Sequence, residues 1–221
     1  MTPVSVPPLK ELEPSKGLIF RLTHRNNVPF ILRHGLHCRR SEVLDPDFVA
    51  IGLPDLIARR ANHAVPVEPG GTLADYVPFY FTPCSPMMLK ITTGHDGIVR
   101  RDRSELVVWV SSVHALTERG VRYLISDRHA VLRTAQFSDG ATALEGLDWE
   151  RLRARDFRRD PADPGRFERY EAECLVHRHV PVEALLGLAC SGATEQNSLQ
   201  QAVAACGLEL PVAVRNHWFI G

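Results

Sequence analysis

The sequence predicts an α+β fold, with helices packed around a mostly antiparallel, curved or split sheet. Two observations point there. Short strand-like and helix-like runs are mixed without the regular βαβ alternation that builds a parallel sheet. Repeats and low-complexity tracts, which would signal a solenoid or a disordered chain, do not occur. In addition, no glycine-rich phosphate loop of either common type is present, so a nucleotide, if one binds, is held another way.

The elements follow in order. Gly17 to Leu22 alternates as a strand does. Thr23 is placed to cap a helix over His24 to His34, which Gly35 stops. Pro54 suits the first turn of a helix running to Asn62. Two prolines and two glycines make Val65 to Gly71 a loop. Tyr76 to Phe81 is an aromatic strand, and Pro78 within it argues for an edge position or a bulge. A short helix is expected from Ser85 to Ile91, a buried strand at Leu106 to Val110, a helix at Val113 to Arg119 and a strand at Val121 to Ile125. Ser138 to Pro164 is polar, with one helical patch around Trp149. Beyond it come a strand at Cys174 to His177, a helical turn at Val182 to Leu186 and a strand at Leu186 to Cys190. An amphipathic helix follows from Gln196 to Cys206, with Leu199, Val203 and Cys206 on one face, and then a short strand near Val212.

A chain of 221 residues, 44% hydrophobic and 24% charged, suits one globular domain or one with a small appendage. Met1 to Glu13 is Pro-rich and acidic and lacks an apolar signal core. Residues 1–16 are therefore expected as a loose leader and residues 17–221 as a single domain. No run approaches the roughly 18–20 apolar residues of a membrane span, so the expected location is the cytoplasm. Five cysteines (Cys38, Cys84, Cys174, Cys190 and Cys206) form no CxxC pair, which suggests reduced, mostly buried thiols. Lys+Arg and Asp+Glu are 26 each, a zero net charge that argues against strong non-specific nucleic-acid binding. The cations are nearly all arginine, with lysine only at 10, 16 and 90. That bias reflects either genomic base composition or a use of bidentate contacts to phosphate and carboxylate.

Several residues could carry chemistry. Glu173 heads an apolar strand and shares a face with Leu175, so it either projects into a cleft or lies at a solvent-facing strand edge. Arg21 interrupts an apolar strand and needs a partner. Arg59 sits late in a helix, where arginine commonly answers the helix dipole. His34, His37 and Cys38 form one group and His177 and His179 another, but neither gains a third or fourth ligand at convincing spacing, so no metal site is predicted. Asp127-Arg128-His129 is a polar cluster able to contact a base or to pair internally. In the run Tyr76, Phe79, Tyr80 and Phe81, Phe79 and Phe81 are expected in the core and Tyr80 on the opposite face, where it could stack on a base or on nicotinamide.

Together these segments resemble the DarT family of DNA ADP-ribosyltransferase toxins, from DarT/DarG toxin–antitoxin systems. Ile19-Phe20-Arg21-Leu22-Thr23-His24-Arg25-Asn26-Asn27-Val28 is similar to the family's opening motif. Asp75-Tyr76-Val77-Pro78-Phe79-Tyr80-Phe81-Thr82-Pro83-Cys84-Ser85-Pro86-Met87 resembles its most distinctive block. Asp127-Arg128-His129, Leu147-Asp148-Trp149-Glu150 and Ala172-Glu173-Cys174-Leu175-Val176 match further landmarks in the right order.

The resemblance implies a split-sheet fold of the diphtheria-toxin and PARP type, with NAD⁺ as co-substrate. It implies transfer of ADP-ribose to a base in single-stranded DNA, with thymidine favoured over guanosine, and a macrodomain antitoxin of the DarG type as partner. Carried over by position, Glu173 and Arg59 are catalytic. Glu173 stabilises the ribosyl cation and is also a candidate for taking the base's proton. Arg21, Thr23, Asn27, Arg59, Tyr80 and Ser85 fall in the NAD⁺-binding part. Tyr80, Arg128, His129, Arg166 and Arg169 are the residues expected to meet DNA. Arg21 stands where many members carry His, and Cys84 where many carry Arg. Three competing readings remain at this stage: the same chemistry directed at RNA, protein or water; a non-catalytic nucleic-acid- or partner-binding module; and a metal-dependent nuclease.

Overall fold

The computed structural model describes residues 8–220. The strands are β1 (Leu18–His24), β2 (Leu36–His37), β3 (Tyr76–Tyr80), β4 (Leu106–Ser112), β5 (Tyr123–Ser126), β6 (Phe137–Asp139), β7 (Glu173–His177), β8 (His179–Val180), β9 (Leu185–Cys190) and β10 (Val212–Val214). The helices are α1 (Val28–His34), α2 (Pro54–Asn62), α3 (Pro86–Thr93), α4 (Val113–Glu118), α5 (Trp149–Ala154), α6 (Arg166–Tyr170) and α7 (Ala193–Ala205). The main sheet runs β10-β9-β4-β1-β3-β7-β5-β6, and β2 and β8 form a separate pair. Within the main sheet only β10 and β9 are parallel. The fold is therefore α+β, as expected.

One irregularity in this sheet makes the cleft. Every residue of β1 pairs with β4, from Leu18 opposite Ser112 to His24 opposite Leu106. On its other side β1 meets β3 only at Phe20 opposite Tyr80. Beyond that single bridge the halves β10-β9-β4-β1 and β3-β7-β5-β6 splay apart. This opening explains Pro78. Its strand lies inside the sheet order, not at an outer edge, but its carbonyl faces the split and accepts from Arg21 Nη1 at 2.8 Å. A residue's N and C=O point to the same side of a strand, so the missing N–H falls where no ladder partner exists.

Other differences have local causes. Thr23 does not cap a helix; the β1–β4 ladder carries it into the sheet, where its Oγ1 accepts from Trp109 Nε1 at 2.9 Å. A short 3₁₀ turn at Arg25–Asn27 then leads into α1. The segment expected as a loose leader packs from residue 8 on, with Leu12 buried and its carbonyl accepting from Arg153 Nη1 at 2.7 Å; residues 1–7 lie outside the described part. The polar stretch after residue 137 holds β6, a 3₁₀ turn at Ala141–Gly146 and α5. Trp149 there is buried, edge-on to Phe81 at 5.8 Å. α7 starts three residues before its expected position but buries Leu199 and Val203, while Cys206 follows the helix half-buried. The other four cysteines are buried, and all five are free. His177 and His179 part company at Arg178, which turns the chain at φ +63° from β7 into β8. Among the described residues no group of three or more His, Cys, Asp or Glu is arranged to hold a metal.

Gly35 does more than end α1. It adopts φ +78°, ψ −170°, and a Cβ there would lie 2.3 Å from the Val180 carbonyl and 2.5 Å from His179 Nε2. Only glycine lets β2 lie against β8 behind the cleft. Gly35→Ala should cost about 1–3 kcal/mol, a drop in Tm of several degrees in calorimetry. An unchanged Tm would show that the β2–β8 contact relaxes freely.

Candidate active site

The site is built around a carboxylate buried in the splayed half of the sheet. Glu173 opens β7, paired across the sheet with Tyr80 of β3 and Ser126 of β5. Its N–H donates to Ser126 Oγ at 3.2 Å, and that hydroxyl donates onward to the Arg128 carbonyl at 2.8 Å, which ties the strand to the turn after β5. The Glu173 side chain is 1% exposed. An unpaired charge there would be untenable, so the surroundings must supply compensation.

They do so from three directions. Arg60 of α2 places Nη1 3.1 Å from Oε1 and 2.9 Å from Oε2. The Ala130 N–H donates to Oε1 at 3.0 Å. His129 Nδ1 lies 3.0 Å from Oε1, off the hydrogen-bonding direction, so this contact is an ion pair and not an aligned hydrogen bond. Burial alone would raise the Glu173 pKa; the Arg60 charge, the His129 contact and the Ala130 N–H together outweigh it and hold the group ionised, well below the ordinary carboxylate range. Burial likewise pushes His129 down, but contact with Glu173 and the nearby Glu171 charge raise it above its ordinary value.

These groups form the inner wall of a cleft of about 710 Å³, in the size range of small-molecule sites. Arg21, Thr23, Asn27, Arg59, Tyr80, His129 and Glu173, all singled out from sequence, line it together. Their roles in the fold differ. Arg21 reaches across the split to the Pro78 carbonyl and, lowered by burial and then by its neighbour Arg60, has a pKa of about 10. Asn27 clamps the outer loop, its side-chain amide donating to the Val49 carbonyl at 3.0 Å and its Oδ1 accepting from Val49 N–H at 2.9 Å. Tyr80 faces the cleft while Phe79 and Phe81 enter the core; burial and the Glu173 charge raise its phenol, which stays neutral.

Four of the expected residues stand elsewhere. Ser85 does not line the cleft; it is buried, and its hydroxyl caps α3 by accepting from Met88 N–H at 3.2 Å. Arg128 forks onto its neighbour Asp127, with Nη2 2.8 Å from Oδ2. Arg166 pairs with Asp156 and Asp160, and Arg169 with Asp163 at 2.5 Å, so both fasten the loop before α6. Cys84 is a core thiol, pushed up to about 11 by burial, whose carbonyl accepts from Tyr170 Oη at 2.9 Å.

The guanidinium on Glu173 belongs to Arg60, a residue not among the candidates singled out from sequence. Arg59, next to it, is exposed along the same cleft. A signal was available: Leu56 and Ile57 also line the cleft, and Arg60 stands four and three residues after them on one helix face. Two donors here lack a protein acceptor, Arg21 Nε and Arg60 Nη2, although both are buried. Orphaned buried N–H groups are costly, and these two fit the acceptor oxygens of a bound ligand.

The whole chain has close counterparts. Residues 20–220 match the family model described as ssDNA thymidine ADP-ribosyltransferase, DarT. A DNA ADP-ribosyl transferase of Escherichia coli O127:H6 is 44% identical over 208 residues, covering 94% of this chain and 95% of the relative. Among solved structures, Thermus sp. 2.9 DarT in complex with ADP-ribosylated ssDNA superposes with a TM-score of 0.86 at 29% identity, over 94% of this chain and 98% of that one. The same protein in complex with NAD⁺ gives 0.82 at 28% identity, over 94% and 99%.

The ion pair predicts a coupled titration. By NMR, His129 should titrate above its ordinary value in the native protein and shift down in Glu173→Gln, which keeps the shape but removes the charge. An unchanged His129 titration would show that the two groups are not electrostatically coupled.

Proposed function

This chain belongs to the DarT family of single-stranded-DNA thymidine ADP-ribosyltransferases, and on that premise we propose that its cleft holds NAD⁺ with the nicotinamide ribose against Glu173 and passes ADP-ribose to thymidine. The activity is an NAD⁺-dependent DNA ADP-ribosyl transfer that releases nicotinamide. The observation that carries the assignment of roles is the ionised Glu173 at the inner wall, gripped by Arg60, His129 and Ala130.

Breaking a glycosidic C–N bond passes through an oxocarbenium-like state, which a fixed carboxylate stabilises. Glu173 is suited to this because its partners keep it charged and immobile. Oε1 is already engaged three times, whereas Oε2 meets only Arg60 and has room for the ribose 2′-hydroxyl. The orphan donors Arg21 Nε and Arg60 Nη2 fit ribose or diphosphate oxygens, and the exposed Arg59 fits the outer phosphates. Thr23 and Asn27 shape the wall, Asn27 by pinning the loop at Val49. Ser85 acts at a distance by starting α3. Tyr80 and His129 meet the acceptor base, which must be unpaired for its ring nitrogen to be reached. Arg128, Arg166 and Arg169 are already paired with Asp127, Asp160 and Asp163, which weakens the pull of their charge on phosphates.

The family resemblance further suggests a toxin restrained by a macrodomain antitoxin of the DarG type, and we place the pair in the cytoplasm, where DNA is available. Among the described residues no helix is long and apolar enough to cross a membrane.

Mass spectrometry of a mixed-sequence single-stranded oligonucleotide incubated with NAD⁺ should show one added ADP-ribose, with fragmentation placing it on thymidine. Glu173→Gln should lower the rate by about 10³-fold or more; near-normal transfer would remove Glu173 from the chemistry. Arg60→Ala should lower kcat by about 10²-fold, whereas Arg59→Ala should act mainly on the NAD⁺ KM. The reverse pattern would return the inner position to Arg59.

A further inference from the structure

Glu171 is a second carboxylate in the cleft, and the chemistry above leaves it idle. It closes α6, donating its N–H to the Glu168 carbonyl at 3.2 Å, and stands two residues before Glu173. Its side chain lines the same cleft as Glu173, Arg60, His129 and Tyr80. It is half-buried, yet among the described residues its carboxylate makes no hydrogen bond and no ion pair within 4 Å. Glu173, by contrast, is held by Arg60, His129 and the Ala130 N–H.

The groups facing Glu171 come from four elements: His129 after β5, Glu173 on β7, Lys90 on α3 and Glu168 on α6. Burial raises its pKa most, Glu173 and Glu168 raise it further, and His129 and Lys90 lower it, leaving the carboxyl near 7. Two carboxylates in one cleft whose environments push their pKa values apart are suited to different tasks.

The transfer poses a task that Glu173 is poorly placed to perform. The base of thymidine carries a single N–H, and that proton must leave when the ring nitrogen takes the ribose carbon. A carboxylate held ionised by an arginine, a histidine and a backbone N–H resists protonation. We propose that Glu171 is the proton acceptor of the transfer. The bond between ribose C1″ and the nicotinamide nitrogen breaks, and its electron pair leaves with neutral nicotinamide. The bond from C1″ to the thymine ring nitrogen forms, and the proton of that nitrogen passes to the Glu171 carboxylate. The role rests on the transfer to thymidine proposed above.

The test is Glu171→Gln, compared with the native enzyme on a thymidine oligonucleotide. NAD⁺ affinity by calorimetry should be unchanged, while the transfer rate falls about 10²-fold. The native rate should rise with pH through about 7, and the variant should lose that rise. An oligonucleotide with 5-fluoro-2′-deoxyuridine, whose imide is more acidic, should restore transfer by the variant more than by the native enzyme. Glu171→Ala should be rescued in the same assay by added formate. A Gln variant with native rate and native pH profile overturns the role. So does one that loses NAD⁺ affinity and responds neither to the acidic acceptor nor, as Ala, to formate. If the native enzyme leaves the thymidine oligonucleotide unmodified, the DNA-transfer reading itself fails, separately from anything the variant shows.

Discussion

The molecule is organised around one buried charge. Glu173 sits in the interior of the sheet at 1% exposure, a position that ordinarily neutralises a carboxylate. It stays ionised because a helix, a turn and a backbone N–H converge on it: Arg60 from α2, His129 and Ala130 from the turn after β5. Removing any one leaves part of a buried charge uncompensated, and the penalty for that far exceeds the worth of an exposed pair. The turn after β5, the C-terminal half of α2 and the start of β7 are thus fixed relative to one another by electrostatics as much as by packing.

That convergence needs space, and the sheet supplies it by failing to close. A regular β1–β3 ladder would fill the region that Arg21, Thr23 and Tyr80 now line. The ladder stops after Phe20 and Tyr80, and Pro78, which has no N–H to offer, sits on the open side. Arg21 bridges the gap at the Pro78 carbonyl and keeps Nε unpartnered. On either side of the split a ring pair packs the core, Phe20 against Trp218 in one half and Phe81 against Trp149 in the other.

Charge is spent internally over much of the rest of the surface. Asp127 takes Arg128, while Asp156, Asp160 and Asp163 take Arg166 and Arg169. This is consistent with the zero net charge and with a protein that reads an unpaired base in a pocket more than it tracks a phosphate backbone. Cations do converge in the cleft, where Arg21, Arg39, Arg59, Arg60 and Lys90 line the wall.

By itself the sequence determined the fold class, most helices and strands, the facing of Tyr80 against Phe79 and Phe81, the membership of the family and the position of Glu173 at the head of a strand. These rest on local periodicity, turn chemistry and a block of residues long enough to be distinctive. It did not determine which of two adjacent arginines meets Glu173, that Thr23 is a strand residue, that Ser85 is a cap, that Arg166 and Arg169 are already paired, or that Glu171 stands free in the cleft. Those depend on contacts between residues far apart in the chain, such as Arg60 with Glu173 and Thr23 with Trp109. The two-residue strands β2 and β8 were invisible for a related reason: they are too short to carry a period and exist only because Gly35 lets two segments approach. A side chain's neighbours along the chain set its propensity, but its charge state and its task are set by what the folded sheet brings against it.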